Sequence, residues 1–135
     1  MPDRMIVLDS FALMAYFLRE KNGDAVQHLI KQAKNKTRIL KLCAINWGEI
    51  YYNIVRGKGV QAAEKYLMLM EELPVDIVDV DRSLIMEAAL LKSKYALSYA
   101  DCFAAALAQR ENCPVLTGDK EFKQLPPAIK VQFLS

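Results

Sequence analysis

Four acidic residues stand where a carboxylate could do chemistry: Asp9, Glu49, Asp101 and Asp119, separated by 40, 52 and 18 positions. Asp9 ends the apolar run Met5-Ile6-Val7-Leu8, and Asp119 ends Val115-Leu116-Thr117-Gly118. Glu49 lies in Asn46-Trp47-Gly48-Glu49-Ile50, and Asp101 opens a run of small apolar residues from Cys102 to Ala108. Carboxylates brought together repel, so at neutral pH they protonate, face water or neutralise a cation. Oxygen donors without histidine or thiolate favour Mg²⁺ or Mn²⁺ over zinc. Singly, each acid has a plainer role: a helix cap for Asp9, helix-dipole partners for Glu49 and Asp101, a turn residue for Asp119. Together they ask for a shared one, because an acid opening a helix as apolar as 102–108 needs a reason to be there.

The rest of the chain supplies elements that would bring them together. Met5–Leu8, Ile39–Leu42, Val75–Val80, Val115–Thr117 and Val131–Phe133 read as strands, being apolar runs too short for helices. Helical patterns fill the gaps. The first runs from Ser10 with Leu13, Met14 and Phe17 in phase and stops at Asn22-Gly23; the second is capped by Asp24. A third, capped by Asn46, ends at Gly57, and its antiparallel partner Val60–Glu72 is closed by Pro74. Asp81 and Ser98 cap two more, the last broken at Cys113-Pro114.

Strands separated by helices pair in parallel, with helices on both faces. The expected fold is therefore α/β: one domain over residues 1–135, with a central parallel sheet of four or five strands. In such sheets ligands bind outside the carboxyl ends of the strands, where Asp9 and Asp119 both fall. Helix amino termini point to the same edge and would bring Glu49 and Asp101 there.

Composition narrows the field. A 135-residue chain that is 53% hydrophobic and 25% charged can bury a core of its own. A net charge of +2 excludes a heavily basic nucleic-acid coat but permits a local basic patch. Three cysteines without a C-x-x-C pair suit a reducing compartment, and the single His28 leaves little room for histidine chemistry. The apolar run Ser10 to Leu18 is too short to span a bilayer, so a cytoplasmic protein with no membrane association is expected. A receiver-type phosphoacceptor would want an acidic pair after the first strand. A haloacid-dehalogenase-type phosphatase would want Asp-x-Asp, where this chain has Phe11.

Ile6-Val7-Leu8-Asp9-Ser10, the Glu49 helix, the stretch from Ala100 to Ala106, and Val115-Leu116-Thr117-Gly118-Asp119-Lys120-Glu121-Phe122 together resemble the PIN-domain nucleases. The likeness is closest to the small ribonuclease toxins of VapC type and runs from Ile6 to about Phe133. It implies a metal-dependent endoribonuclease, the toxin of a toxin–antitoxin pair, with Asp9, Glu49, Asp101 and Asp119 as the acids that bind Mg²⁺ or Mn²⁺. Asp9 and Asp101 are expected as direct ligands, Asp119 as a direct or water-mediated one, and Glu49 as the residue that holds water there. Ser10 and Thr117 match the hydroxyl positions and would orient the carboxylates. The departures are small: Cys102 stands where a smaller residue is commoner, and the amino terminus carries a few extra residues. The alternative is a PIN-like scaffold that binds RNA or protein without catalysis, against which the intact acidic set speaks.

Further features bear on partners. No acid lies between Ala25 and Gly48, while Lys31, Lys34, Lys36, Arg38 and Lys41 are basic. Arg38, Arg56, Lys58 and Lys120 are candidate contacts to an RNA backbone, although a solvated charged face explains the basic stretch as well. Tyr16, Tyr51, Tyr52 and Tyr99 could stack on bases, with core packing or an oligomer surface as the plainer reading. The series Leu67-Met68-Leu69-Met70 wraps too much of its helix for solvent. It points to a homodimer or to an antitoxin helix laid in a groove.

Overall fold

Burial sets the place of each strand. In the computed structural model, which describes residues 4–134, β1 (Met5–Leu8) sends Val7 to one face of a sheet and Ile6 and Leu8 to the other, all three sealed from solvent. A strand apolar on both sides belongs in the middle of a parallel sheet covered on both faces. β1 takes that place. With β2 (Ile39–Cys43), β3 (Val75–Val78), β4 (Val115–Thr117) and β5 (Val131–Phe133), the order is β3-β2-β1-β4-β5 and every pairing is parallel. Helices α1 (Ser10–Phe17), α2 (Gly23–Lys34), α3 (Ala44–Lys58) and α4 (Val60–Glu72) pack with Ile6, Leu8, Leu40 and Leu42 on one face. Helices α5 (Arg82–Lys94) and α6 (Tyr99–Arg110) pack with Val7, Cys43 and Val115 on the other. The α/β architecture expected from the sequence is the one observed, with five strands.

From β1 the chain winds outward through β2 to β3, then crosses back to β4 and β5 on the far side of β1. Where the winding reverses, the connections leave in opposite directions and a crevice opens at the carboxyl ends of β1 and β4. Asp9 and Asp119 follow those two strands.

Local boundaries depart from expectation for tertiary reasons. Asn22, not Asp24, occupies the cap position of α2, and Asp24 lies in the first turn. α3 starts at Ala44, straight out of β2, so Asn46 is not its cap and Glu49 falls in the second turn rather than the first. The extended Cys43 (φ −66°, ψ 140°) already makes the junction, and the Asn46 side chain is committed to α6. Gly57 remains helical; Gly59, at φ 91°, is the break between α3 and α4, a left-handed conformation that glycine adopts without a steric penalty. The expected Val75–Val80 strand ends at Val78.

Of the apolar α4 series, Met70 is buried, whereas Met68 and Leu69 are exposed. All three cysteines are free and buried. Among the described residues, no helix is long and apolar enough to cross a membrane.

Gly23 shows how closely α1 and α2 approach. A Cβ there would stand 2.4 Å from the Ala15 carbonyl oxygen and 2.8 Å from its carbon, backbone that cannot swing aside. Gly23→Ala is expected to force the two helices apart and cost about 1–3 kcal/mol, the usual range for overpacking. Denaturant unfolding checks this, and an unchanged midpoint would contradict the close approach.

Candidate functional site

Asp9 is the most deeply placed of the four acids. As the cap of α1 it accepts from the Ala12 amide at 2.8 Å, and only 1% of the residue is exposed. Burial pushes its carboxyl up from 3.8 to about 7; the Thr117 hydroxyl and the Ala12 amide pull it down, while the charges of Asp101 and Glu49 raise it further. Asp101, in the first turn of α6, is pushed up to about 6, chiefly by burial. The Ser98 hydroxyl opposes that shift, and the charges of Asp119, Glu49 and Glu121 add to it. The structure thus brings Asp9, Glu49, Asp101 and Asp119 within electrostatic reach at the crevice, with Asp101 as the hub.

Hydrogen bonds hold the acid-bearing elements in place. Ser10 Oγ donates to Glu49 Oε1, which joins α1 to α3. Thr117, wholly buried, accepts from the Asp119 amide at 3.0 Å through Oγ1. Ser98 Oγ accepts from the Asp101 amide at 3.1 Å, as the sequence led one to expect of a cap. Asn46, also wholly buried, donates from Nδ2 to the Ala100 carbonyl at 3.1 Å, while its Oδ1 has no partner. That bond ties α3, three residues before Glu49, to α6, one residue before Asp101.

Sequence reasoning left two participants unassigned. Asn46 looked like a cap because it precedes an apolar helical run. Glu121 stands two residues after Asp119, and only the 3-10 turn Lys120–Gln124, where its amide donates to Asp119 Oδ1 at 2.9 Å, shows that its charge reaches Asp101.

The basic candidates divide. Lys120 is exposed beside Asp119. Arg56 lies with its guanidinium carbon 5.0 Å from the centroid of the Tyr52 ring, and Glu49, Tyr52 and Arg56 share one face of α3 at i, i+3 and i+7. Lys58 is the last residue of α3, about 14 Å along the axis from Glu49 at 1.5 Å per residue. Arg38 is not brought to the acids. It precedes β2 and so sits at the amino edge of the sheet, near Lys36, whose carbonyl accepts from Arg4 at 3.4 Å. Lys41 is paired with Glu111 at 3.0 Å.

Neither ion pair found among the described residues, Lys41–Glu111 and Arg110–Asp81, includes one of the four acids. Among the described residues, no three His, Cys, Asp or Glu side chains close around one point. The donors at the crevice are carboxylates and hydroxyls, which fit a hard divalent cation such as Mg²⁺ or Mn²⁺.

A second concavity lies elsewhere. Tyr16, Phe17, Gly23, Tyr66, Leu69 and Leu73 are among the residues lining a groove of about 820 Å³ between the α1–α2 turn and α4.

A family model described as the PIN domain matches residues 6–126 of this chain. No curated protein matches it. Among solved structures the chain is similar to VapBC2 from Rickettsia felis bound to a DNA fragment from their promoter, with a TM-score of 0.75 and 17% identity, covering 97% of this chain and 99% of that one. It is similar to DNA-bound VapBC from Salmonella typhimurium, with a TM-score of 0.73 and 14% identity over 97% and 98% of the two chains. It is also similar to VapC20 from Mycobacterium tuberculosis, a sarcin–ricin loop cleaving toxin, with a TM-score of 0.65 and 18% identity over 88% and 93%. At such identities the likeness is one of fold. The family match runs from β1 through the 3-10 turn and takes in all four acids, and on that ground the chain belongs to the PIN domain family.

Proposed function

We propose that this chain is a Mg²⁺- or Mn²⁺-dependent endoribonuclease, the toxin of a toxin–antitoxin pair. One observation carries the reading: buried Asp9 and half-buried Asp101, each disfavoured as an anion, share one crevice with Glu49 and Asp119. Carboxylates within electrostatic reach of one another are relieved by a cation. A bound divalent ion would make water a better nucleophile and neutralise charge on the phosphate. Asp9 and Asp101 are the residues proposed to hold it, with Asp119 as a direct or water-mediated ligand. Glu49, oriented by Ser10, is proposed to hold the attacking water and take its proton. Thr117 fixes the backbone at Asp119. Lys120 and Arg56, the latter lying over the Tyr52 ring, are the residues proposed to meet the RNA backbone.

The partner half of the reading draws support from structural neighbours that include a toxin–antitoxin complex from Klebsiella pneumoniae and a member of the VapBC family of toxin–antitoxin systems from Mycobacterium tuberculosis. The groove beside α4 sets Tyr16, Phe17, Tyr66 and Leu69 among charged side chains such as Arg19, Glu20, Asp24 and Lys65, and with exposed Met68 on that helix it is the surface proposed for an antitoxin or a second copy of this chain.

The test is incubation with RNA in Mn²⁺, with and without excess chelator. Cleavage is expected only without chelator. Undiminished rates in chelator would sink the metal mechanism, and no cleavage in either condition would leave the non-catalytic scaffold as the better reading.

A further inference from the structure

Phe11 is the second residue of α1, two positions after Asp9. Its ring fills the space over Gly118, where a Cβ would fall 2.1 Å from Cε1 and 2.5 Å from Cδ1. Gly118 in turn precedes Asp119. The Phe11 ring therefore joins the start of α1, just past β1, to the residue that follows β4, the two segments that carry Asp9 and Asp119.

This ring is not a core residue. Phe11 is 42% exposed, whereas Phe103 and Phe122 are exposed by 2% and 1%. Nor is it paired. Other exposed aromatics carry a neighbour on the ring: Tyr52 has Arg56, Tyr99 has Phe103 and Phe133 has Lys123. Among the described residues Phe11 has no aromatic or cationic partner. A half-open aromatic face, seated on backbone at the lip of a carboxylate crevice, matches the π-face of an unpaired nucleobase.

We propose that Phe11 stacks an unpaired base next to the bond being cleaved, with Gly118 left bare so that the ring can seat. The inference rests on the ribonuclease reading and extends it to how the strand is held. Phe11 touches the base and not the reacting atoms, so it acts by positioning.

The probe is a single-stranded RNA oligonucleotide whose cleaved bond has been mapped with the unaltered chain in Mn²⁺, made again with an abasic nucleotide on either side of that bond. The unaltered chain is expected to lose roughly 10- to 100-fold in kcat/KM at one of the two abasic positions, the usual worth of one base–aromatic stack. Phe11→Leu should lose a similar factor on intact RNA and nothing further on the abasic one, with rescue by Phe11→Trp. Its melting temperature and Mn²⁺ affinity should match the unaltered chain. Losses that multiply, or abasic RNA cut as fast as intact RNA, would overturn the stacking role.

A binding measurement makes the same distinction without cleavage. Asp101→Asn is titrated with RNA carrying 2-aminopurine at the sensitive position. Quenching is expected on binding and should disappear when Phe11→Leu is added; quenching that persists counts against the proposal. Cleavage insensitive to the abasic site defeats this inference alone, whereas no RNA cleavage by the unaltered chain defeats the ribonuclease reading and this inference with it.

Discussion

Asp101→Asn is expected to reduce RNA cleavage by well over the roughly 100-fold that marks the upper end for residues that merely orient a metal ligand, while the fold survives. The substitution is nearly isosteric. It leaves the Ser98 cap intact, since that bond uses the Asp101 backbone amide. It removes the charge felt by Asp9 and placed near Glu49, Asp119 and Glu121. Asp9→Asn should act alike, because asparagine also caps helices. Circular dichroism and a cooperative melt establish folding, and a loss of less than tenfold would remove these acids from the metal.

The second expectation concerns stability without metal. In chelator, Asp9→Asn should gain stability relative to the unaltered chain as pH rises. The folded state holds the Asp9 proton up to about pH 7, whereas the unfolded chain releases it near 3.8. Between those values folding takes up a proton, so the unaltered chain loses stability with rising pH at about 1.36 kcal/mol per unit. The penalty is absent below both values and complete above pH 7. Between pH 5 and pH 7 the difference in favour of Asp9→Asn should therefore grow by about 2–3 kcal/mol. Asp101, raised to about 6, contributes with the same sign over a narrower window. Denaturant unfolding at several pH values in EDTA reads this directly, and a pH-independent difference would refute the raised carboxyl. Added Mn²⁺ should stabilise the unaltered chain more than the variant.

Much of this molecule was legible in the sequence because its signals are local. Short β-branched runs gave the strands, and Asp81 and Ser98 bond to the amides expected of caps. Asp9 and Asp119 could be placed together because strand polarity alone sends both to the carboxyl edge. What stayed hidden depends on contacts between distant segments. Asn46 serves Ala100 across 54 positions. Glu121 reaches Asp101 only once β4 and α6 are side by side. Arg38 joined the basic candidates on charge alone, yet the same polarity that gathers the acids carries it to the opposite edge. Phe11 gave no signal, because seating over Gly118 requires the β1–β4 pairing.

The handovers between strand and helix are very short. β1 passes to α1 across Asp9 alone, and β2 passes to α3 with nothing between Cys43 and Ala44. A helix turns about 100° per residue, so one inserted residue at either junction would swing Ser10 or Glu49 off the crevice. The segments 35–38 and 126–130 lie outside the strands and helices and carry none of the four acids, so they can lengthen without that consequence. In this fold the tolerated insertions and deletions are thus set by counting from the sheet to the acids, and a change in chain length at position 9 or 44 amounts to a change in chemistry.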